Sequence, residues 1–211
     1  MYGIEPMIPA AASPAPFPDI MPFRLVAIGA SAGGIPVMQQ LLTKIPASFP
    51  LPIVLLQHLS ASLPSFLPKV LGFRTPLRCK WAEPGETPQP GTVYAAPPGK
   101  NLAMTSAGSF EHVPGPKPRL GWPSADIFLH SMARHIGDRG IAVILSGMLY
   151  DGADGIAAVR RTGGATMVQD PRSADYPSMP IASIDLGRAD LTLSLDAIAE
   201  ALQILAESGV H

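Results

Sequence analysis

The sequence predicts an α/β fold: a three-layer, doubly wound and mostly parallel sheet that also carries a β-hairpin. Short runs made wholly of apolar residues, such as 25–28 and 141–145, are typical of parallel strands that helices cover on both faces. Between such runs lie patterns of helical period, so strands and helices alternate along the chain. With 211 residues, the chain is long enough for one domain with a sizeable core.

The first half of the chain supplies four strands and the hairpin. After the first strand, apolar residues at helical spacing predict a helix; they are Val37, Leu41, Leu42 and Ile45. A second helix, interrupted by proline, is predicted around residues 62–71. The strands cover residues 25–28, 53–57, 77–81 and 92–95, and the hairpin pairs 102–105 with 109–112.

The second half continues the alternation of strands and helices. Pro123 and Ser124 are typical of a helix start and Gly137 of a helix end, so a helix is predicted between them. The residues before it, 114–118, are rich in proline and glycine and are expected to form a surface loop. The remaining elements are a strand at 141–145, a helix at 153–162, a strand at 166–169 and a helix at 195–207.

The amino-terminal segment differs in composition from the rest. Residues 1–22 are rich in proline and alanine and predict a disordered leader, which leaves residues 23–211 as one folded domain. The leader lacks the basic start of a signal peptide. No segment approaches the roughly twenty apolar residues of a membrane helix. We therefore expect a cytoplasmic protein without membrane insertion.

Charge and cysteine content narrow the classes of partner. Fifteen basic and sixteen acidic residues give a net charge of −1, without a dense cluster of Lys or Arg, so nucleic acid is not an expected partner. Cys79 is the single cysteine, which excludes an internal disulfide and a cysteine-rich zinc site. We expect it to be a small apolar residue of its strand. His112, His130 and His135 lack a metal-binding spacing, so neither a metal nor a cofactor is predicted.

The most informative stretch is the turn at residues 29–34, which puts Ser31 directly after the first strand. Glycines flank the serine, and a helix is predicted to follow. The backbone N–H groups at a helix start have no partner within the helix, so those of Ala32 and Gly33 are candidates for holding an oxyanion or a phosphate.

Four interpretations of this turn compete. Ser31 could cap the following helix, because serine is a favoured N-cap residue. A dinucleotide fingerprint requires glycine where Ser31 stands and a carboxylate after the second strand, and both are missing. The nucleophile elbow of the α/β-hydrolases fits the glycine spacing, but its triad runs serine, acid, histidine, and only His211 follows Asp151. The fourth interpretation makes Ser31 a nucleophile with His58 as its base.

His58 follows the second strand, and the carboxyl ends of neighbouring parallel strands meet at one crevice, so it is expected to lie near Ser31. The strand at 141–145 runs into a turn that contains Asp151, and a carboxylate there would orient the imidazole. Asp126 and Asp170 are rival acids, although both are also explained as a helix first-turn residue and a turn residue. Asp151 is our choice.

Four motifs appear in the order and spacing of the chemotaxis protein-glutamate methylesterases, which the chain resembles from residue 24 to 205. The motifs are residues 29–34, Gln57-His58, Gly147-Met148-x-x-Asp151-Gly152-Ala153, and Gln169-Asp170-Pro171 followed by Met179-Pro180. The resemblance implies that Ser31 is the nucleophile, His58 the general base and Asp151 its orienting acid. It also implies that Met148 lies beside the oxyanion site.

The resemblance further implies an activity and partners. Members of this family hydrolyse γ-methyl esters of glutamate side chains on the cytoplasmic helices of chemoreceptors, and many also deamidate glutamines there. Methylated receptor helices are therefore the implied substrate. Family members commonly carry an amino-terminal receiver domain, for which the residues before Leu25 are too few. We expect a stand-alone catalytic domain, with a separate response-regulator protein as a further candidate partner.

Three positions depart from the family pattern. Leu149 stands where the family has glycine, Trp122 where it has arginine, and Asn101 where it has histidine. We expect all three around the cleft, where they bear on substrate choice. Two other functions therefore stay open beside the methylesterase: a non-catalytic binding or scaffold protein of a chemosensory-like signalling system, and a hydrolase of another carboxyl ester.

Overall fold

A computed structural model describes residues 24–114 and 123–207. The strands in these ranges are β1 (Leu25–Ala30), β2 (Ile53–Gln57), β3 (Arg78–Trp81), β4 (Thr92–Ala95), β5 (Asn101–Met104), β6 (Phe110–Val113), β7 (Gly140–Ile144), β8 (Ala165–Gln169) and β9 (Leu191–Leu193). The α-helices are α1 (Gly34–Leu42), α2 (Leu67–Gly72), α3 (Ala125–Ile136), α4 (Ala153–Arg161), α5 (Ser178–Asp185) and α6 (Leu195–Glu207).

Seven strands form one sheet in the order β3-β4-β2-β1-β7-β8-β9, and each neighbouring pair is parallel. Strands β5 and β6 form a separate antiparallel hairpin. Strands β2, β3 and β4 lie on one side of β1, and β7, β8 and β9 lie on the other side. The strand order therefore reverses between β1 and β7, and ligands of open parallel sheets bind outside the carboxyl ends of the strands at such a point.

The sheet is buried on both faces, as its wholly apolar central strands require. Val26 and Ile28 of β1 pack into a core formed with α1, α2 and α6. Leu25 and Ala27, which point to the opposite face, pack into a second core with α3, α4, α5 and the hairpin. The three layers of the predicted doubly wound fold, and its hairpin, are confirmed.

For most elements, the predicted bounds lie within two residues of the observed bounds. The helix predicted between Pro123 and Gly137 is α3. Its N-cap is Ser124, whose Oγ accepts a hydrogen bond from the Ile127 N–H at 3.4 Å. At its other end Gly137 adopts a φ of 66°, a left-handed value that favours glycine. Cap chemistry therefore set both ends of the helix that carries part of the site.

Three elements differ from the prediction. The helix expected around residues 62–71 begins only at Leu67, because Pro68 has no N–H to donate to the carbonyl of Pro64 and its ring would collide with that carbonyl. Helix α5 and strand β9 were not predicted. The prolines at positions 177 and 180 obscure α5 in the sequence, and β9 has only three residues.

Several predictions fall outside the described residues: the leader at 1–22, most of the loop at 114–118, and the positions of Trp122 and His211. Among the described residues, no helix has both the length and the apolar character that crossing a bilayer demands.

Candidate active site

Ser31 lies in the turn between β1 and α1. The helix begins at Gly34 after Gly33, which has a left-handed φ of 70°, and no side chain caps it. The carbonyl of Ser31, rather than its hydroxyl, bonds to the helix by accepting from the Gly34 N–H at 3.0 Å. The interpretation of Ser31 as an N-cap is therefore wrong, and its hydroxyl has a different partner.

That partner is His58, at the end of β2. The β1 and β2 strands end level, because their register pairs Ala30 with Gln57 and the His58 N–H donates to the Ala30 carbonyl at 3.1 Å. This places the next residue of each strand side by side. The Oγ of Ser31 and the Nδ1 of His58 are 3.0 Å apart, which is hydrogen-bond distance.

Asp151 lies in the turn between β7 and α4, on the other side of β1 from His58, and is 1% exposed. Its Oδ2 is 2.7 Å from His58 Nε2 and accepts from the Ala125 N–H at 2.7 Å. Its Oδ1 accepts from the Ser124 Oγ at 2.9 Å and the Asp126 N–H at 3.1 Å. The carboxylate therefore rests on the amino terminus of α3, where the unpaired N–H groups and the helix dipole favour a negative charge.

These contacts determine where the proton shared by Asp151 and His58 lies. Burial by itself would raise the pKa of Asp151, but the hydrogen bonds from His58 and from the α3 N–H groups outweigh it and lower the pKa below its ordinary value. Ionised Asp151 only accepts, so the proton between it and His58 belongs to Nε2. Neutral His58 then has an unprotonated Nδ1 that accepts the hydroxyl proton of Ser31. In this tautomer, the imidazole is ready to act as a base toward Ser31.

Asp126 is a second carboxyl group close to Asp151. Its Oδ1 accepts from the N–H groups of Gly152 and Gly155, at 2.9 and 2.7 Å, at the start of α4. Burial, followed by the negative charge of Asp151, raises the pKa of Asp126 to about 7. Of the two acids, Asp151 contacts His58, whereas Asp126 holds the turn after Asp151 in place.

Three residues were predicted at or beside the oxyanion site, namely Ala32, Gly33 and Met148. In the described part of the chain, the backbone N–H groups of Ala32, Gly33 and Met148 make no hydrogen bond. Ala32 and Gly33 follow Ser31 directly, and the Ser31 N–H donates to the carbonyl of Ser146, two residues before Met148. Unpaired N–H donors near an attacking hydroxyl can stabilise the negative charge that develops on the oxygen of the carbonyl under attack.

Gly147 makes the close approach of these two turns possible. A Cβ built on Gly147 would overlap the Sδ of Met179 and lie 3.0 Å from the Cβ of Ser31. Its N–H donates to the Tyr176 carbonyl, and its carbonyl accepts from the Met179 N–H. A side chain at position 147 would therefore press on the Met179 side chain of α5 and on Ser31.

The rim beside this glycine is apolar. Met148, Leu149 and Tyr150 have about half of their surface exposed, and Tyr176 has 43% exposed. Leu149 adopts a left-handed φ of 67°, which is costly for a leucine and natural for glycine. The residue that departs from the family pattern thus keeps the backbone conformation that glycine would favour.

Other candidate residues lie elsewhere. Asp170 pairs with Arg172 at the exposed start of a short 3₁₀ turn. Burial raises the pKa of the Cys79 thiol to about 11, which disfavours the reactive thiolate. In the ranges 24–114 and 123–207, no group of three or more His, Cys, Asp or Glu side chains is arranged to hold a metal ion. Trp122 is outside the described residues.

The sequence did not predict the contacts that four side chains make around the site. Ser124 was recognised only as part of a helix start, yet its Oγ also donates to Asp151. Asn101, expected around the cleft, is fully buried in β5 and accepts the Ser124 N–H at 3.0 Å. Gln57 and Ser146 hold the backbone around Ser31. For Gln57 and Ser146 the available signal was a polar residue at the end of a wholly apolar strand.

Comparison with known proteins identifies the family and several relatives. The chain matches the CheB methylesterase family over residues 26–202. It is 35% identical over 201 residues to protein-glutamate methylesterase/protein-glutamine glutaminase 3 of Anaeromyxobacter dehalogenans, covering 95% of this chain and 59% of that protein. It is 37% identical over 186 residues to the protein of the same description from Pseudomonas putida, covering 88% of this chain and 50% of the relative. The chain thus spans about half to three fifths of the length of these relatives.

A solved structure agrees with these relatives. The crystal structure of the Thermotoga maritima CheB methylesterase catalytic domain matches the fold with a TM-score of 0.82 at 33% identity, covering 87% of this chain and 98% of that chain. The family match over residues 26–202 includes Ser31, His58 and Asp151. The chain belongs to the CheB methylesterase family.

Proposed function

We propose that this chain is a serine hydrolase that removes methyl groups from glutamate γ-methyl esters on the cytoplasmic helices of chemoreceptors. The observation that carries the proposal is the continuous hydrogen-bonded series from the Ser31 hydroxyl through His58 to the buried Asp151. The relatives are protein-glutamate methylesterases, which supports a methylated protein glutamate as the substrate, and the resemblance to the chemotaxis family supports chemoreceptor helices as its carrier. The unpaired N–H groups beside Ser31 support the same chemistry.

The reaction begins when the Ser31 Oγ attacks the ester carbonyl carbon and transfers its proton to His58 Nδ1. Asp151 stabilises the imidazolium that forms, and the N–H groups of Ala32, Gly33 and Met148 receive the oxyanion. Collapse of the intermediate breaks the bond to the methoxy oxygen, which takes the proton from His58 and leaves as methanol. The glutamyl group then remains attached to Ser31 as an ester.

Water completes the cycle. His58 removes a proton from water, the hydroxide attacks the acyl-enzyme, and Ser31 leaves with the proton that His58 returns. The products are glutamate and free enzyme. The same series of reaction steps converts a glutamine side chain to glutamate with ammonia as leaving group. The description of the relatives as glutaminases supports this second activity.

The test is release of labelled methanol from receptors methylated with a radioactive methyl group. We expect release by the unaltered protein, none above background by Ser31→Ala, and unchanged release by Ser62→Ala, which removes an exposed hydroxyl bonded only to Ser60. A fluorophosphonate that labels Ser31 without any methanol release would instead support a hydrolase of another ester. Absence of both labelling and release would favour the non-catalytic binding protein.

A further inference from the structure

Two buried side chains that take no chemical part in the proposed reaction hold the backbone carbonyls next to the nucleophile. Gln57 is 4% exposed, and its Nε2 donates to the Ser31 carbonyl at 2.8 Å. Ser146 is fully buried, and its Oγ donates to the Ala32 carbonyl at 3.0 Å. The two carbonyls belong to successive peptide groups of the turn that carries the Ser31 hydroxyl.

Holding a carbonyl also fixes the N–H group of the following residue. A trans peptide group is planar, and its C=O and N–H point in opposite directions. The Ser31 carbonyl accepts from Gln57 Nε2 and from the Gly34 N–H, and these two hydrogen bonds together set the direction of the Ala32 N–H. The hydrogen bond from Ser146 to the Ala32 carbonyl sets the direction of the Gly33 N–H in the same way. These are two of the three N–H groups to which the oxyanion is assigned.

Both side chains make further contacts of their own. The Ser146 N–H donates to the Oε1 of Gln169 at 2.9 Å, and its Oγ accepts from the Tyr176 N–H at 3.1 Å. The Gln57 amide lies against Gly34, where a Cβ would overlap its Oε1. The absence of a side chain at position 34 therefore leaves the space that the Gln57 amide occupies.

We infer that Gln57 and Ser146 are positioning residues that orient the Ala32 and Gly33 N–H groups as oxyanion donors. The inference rests on Ser31 acting as the nucleophile of the proposed function. Donors oriented before the reaction stabilise the developing charge without reorganising, and loss of one such donor slows comparable enzymes by about 10²- to 10³-fold. A donor that is misdirected rather than deleted loses part of that effect.

The experiment compares Ser146→Ala and Gln57→Met with Ser183→Ala. The control also removes a fully buried hydroxyl, but the Ser183 Oγ has no hydrogen-bond partner in the described residues. The readout is the rate at which a fluorophosphonate labels Ser31: the Oγ–P bond forms, fluoride leaves, and the hydroxyl proton passes to His58. This reaction places charge on a phosphoryl oxygen at the oxyanion site and does not depend on the identity of the natural ester.

We expect Ser146→Ala and Gln57→Met each to slow labelling by roughly 10- to 100-fold, with Ser183→Ala unchanged. Circular dichroism and melting temperatures identify the folded fraction to which each rate is normalised. With receptor methyl ester, the same two variants should lose kcat while KM stays within about twofold. The midpoint of the pH-rate profile should not move, because His58 and Asp151 keep their mutual contacts.

Three results would overturn the inference. The first is labelling by the two variants at the rate of Ser183→Ala. The second is a rise in KM with kcat unchanged, which would assign the residues to substrate binding. The third is a shifted pH midpoint in Gln57→Met, which would mean that Gln57 acts through His58, whose carbonyl it also holds at 3.1 Å. Slowed labelling without any methanol release in the unaltered protein would contradict only the proposed substrate.

Discussion

Asp151 and Asp126 hold two neighbouring helices by a crossed pair of contacts: Asp151 binds the start of α3, and Asp126 binds the start of α4. Asp151, just before α4, accepts N–H groups at the start of α3, and Asp126, in the first turn of α3, accepts N–H groups at the start of α4. The two carboxyl groups therefore fasten the ends of two packed helices to each other. Because Asp151 also contacts His58, the geometry of the imidazole depends on how these helices meet.

Replacing Asp151 with asparagine should reduce kcat for methyl-ester hydrolysis by about 10⁴-fold, because the amide cannot hold His58 in the required tautomer or stabilise the imidazolium. Steady-state hydrolysis rates would measure this. Asp170→Asn, which alters the rival acid that pairs with Arg172 and makes no contact with His58 in the described residues, is the matched control and should retain its activity. Equal losses in both variants would contradict the assignment of Asp151.

Replacing Asp126 with asparagine should change how stability depends on pH. The folded-state pKa of about 7 lies above the value of about 3.9 for an unfolded aspartate. Folding therefore takes up a proton between these values, and the stability that this proton contributes is fully present below about pH 4 and is lost as pH rises through 7. Asparagine resembles the protonated acid at every pH, so the melting temperature of Asp126→Asn relative to the unaltered protein should rise by roughly 5–10 °C between pH 5 and 8.

Thermal denaturation of both proteins across this range measures the difference. Asp185→Asn, which changes an exposed acid of α5, is the control and should keep a constant difference. A constant difference for Asp126→Asn as well would mean that Asp126 is already ionised at pH 5.

Replacing Gly147 with alanine should both destabilise the protein by about 1–3 kcal/mol and impair hydrolysis, because the new Cβ presses on Met179 and Ser31. Gly72→Ala, where the nearest heavy atom would be 3.8 Å away, is the matched control and should have little effect. In a double-mutant cycle, Gly147→Ala with Met179→Ala should cost less than the two changes summed. Strict additivity would show that Met179 does not limit the space.

Replacing Leu149 with glycine should stabilise the protein relative to Leu149→Ala by about 1 kcal/mol. Both variants lose the same exposed side chain, but only glycine relieves the left-handed backbone at φ 67°. Melting temperatures of the pair isolate the backbone effect. If alanine is as stable as glycine here, the turn must relax to another conformation when the leucine is removed.

The sequence predicted those parts of the fold and site that follow from local patterns. Apolar runs such as 141–145 identified the buried strands, and the alternation with helices identified a parallel sheet. Since the carboxyl ends of parallel strands meet at one edge, the residues that follow them, Ser31, His58 and Asp151, were predicted to meet. In the structure, Ser31 Oγ is 3.0 Å from His58 Nδ1, and His58 Nε2 is 2.7 Å from Asp151 Oδ2.

The remainder depends on contacts between distant segments. No local pattern shows that His58 turns its Nδ1 toward Ser31, because this follows from the position of Asp151, 93 residues away. Nor does the sequence show that Ser124 serves both its own helix and the Asp151 carboxylate. Helix α5 was missed because its prolines mask a segment that tertiary packing against α4 and β8 supports.

The three strands that supply Ser31, His58 and Asp151 are adjacent in the sheet but far apart along the chain, with β1 in the middle and β2 and β7 on either side. A partly folded chain that has paired only β1 with β2 holds serine and histidine together but lacks the carboxylate. The arrangement of Ser31, His58 and Asp151 therefore exists only when β7 has joined β1 and α3 has packed beside it. If Ser31 is the nucleophile that we propose, its reactivity reports that these four segments, distant along the chain, have assembled.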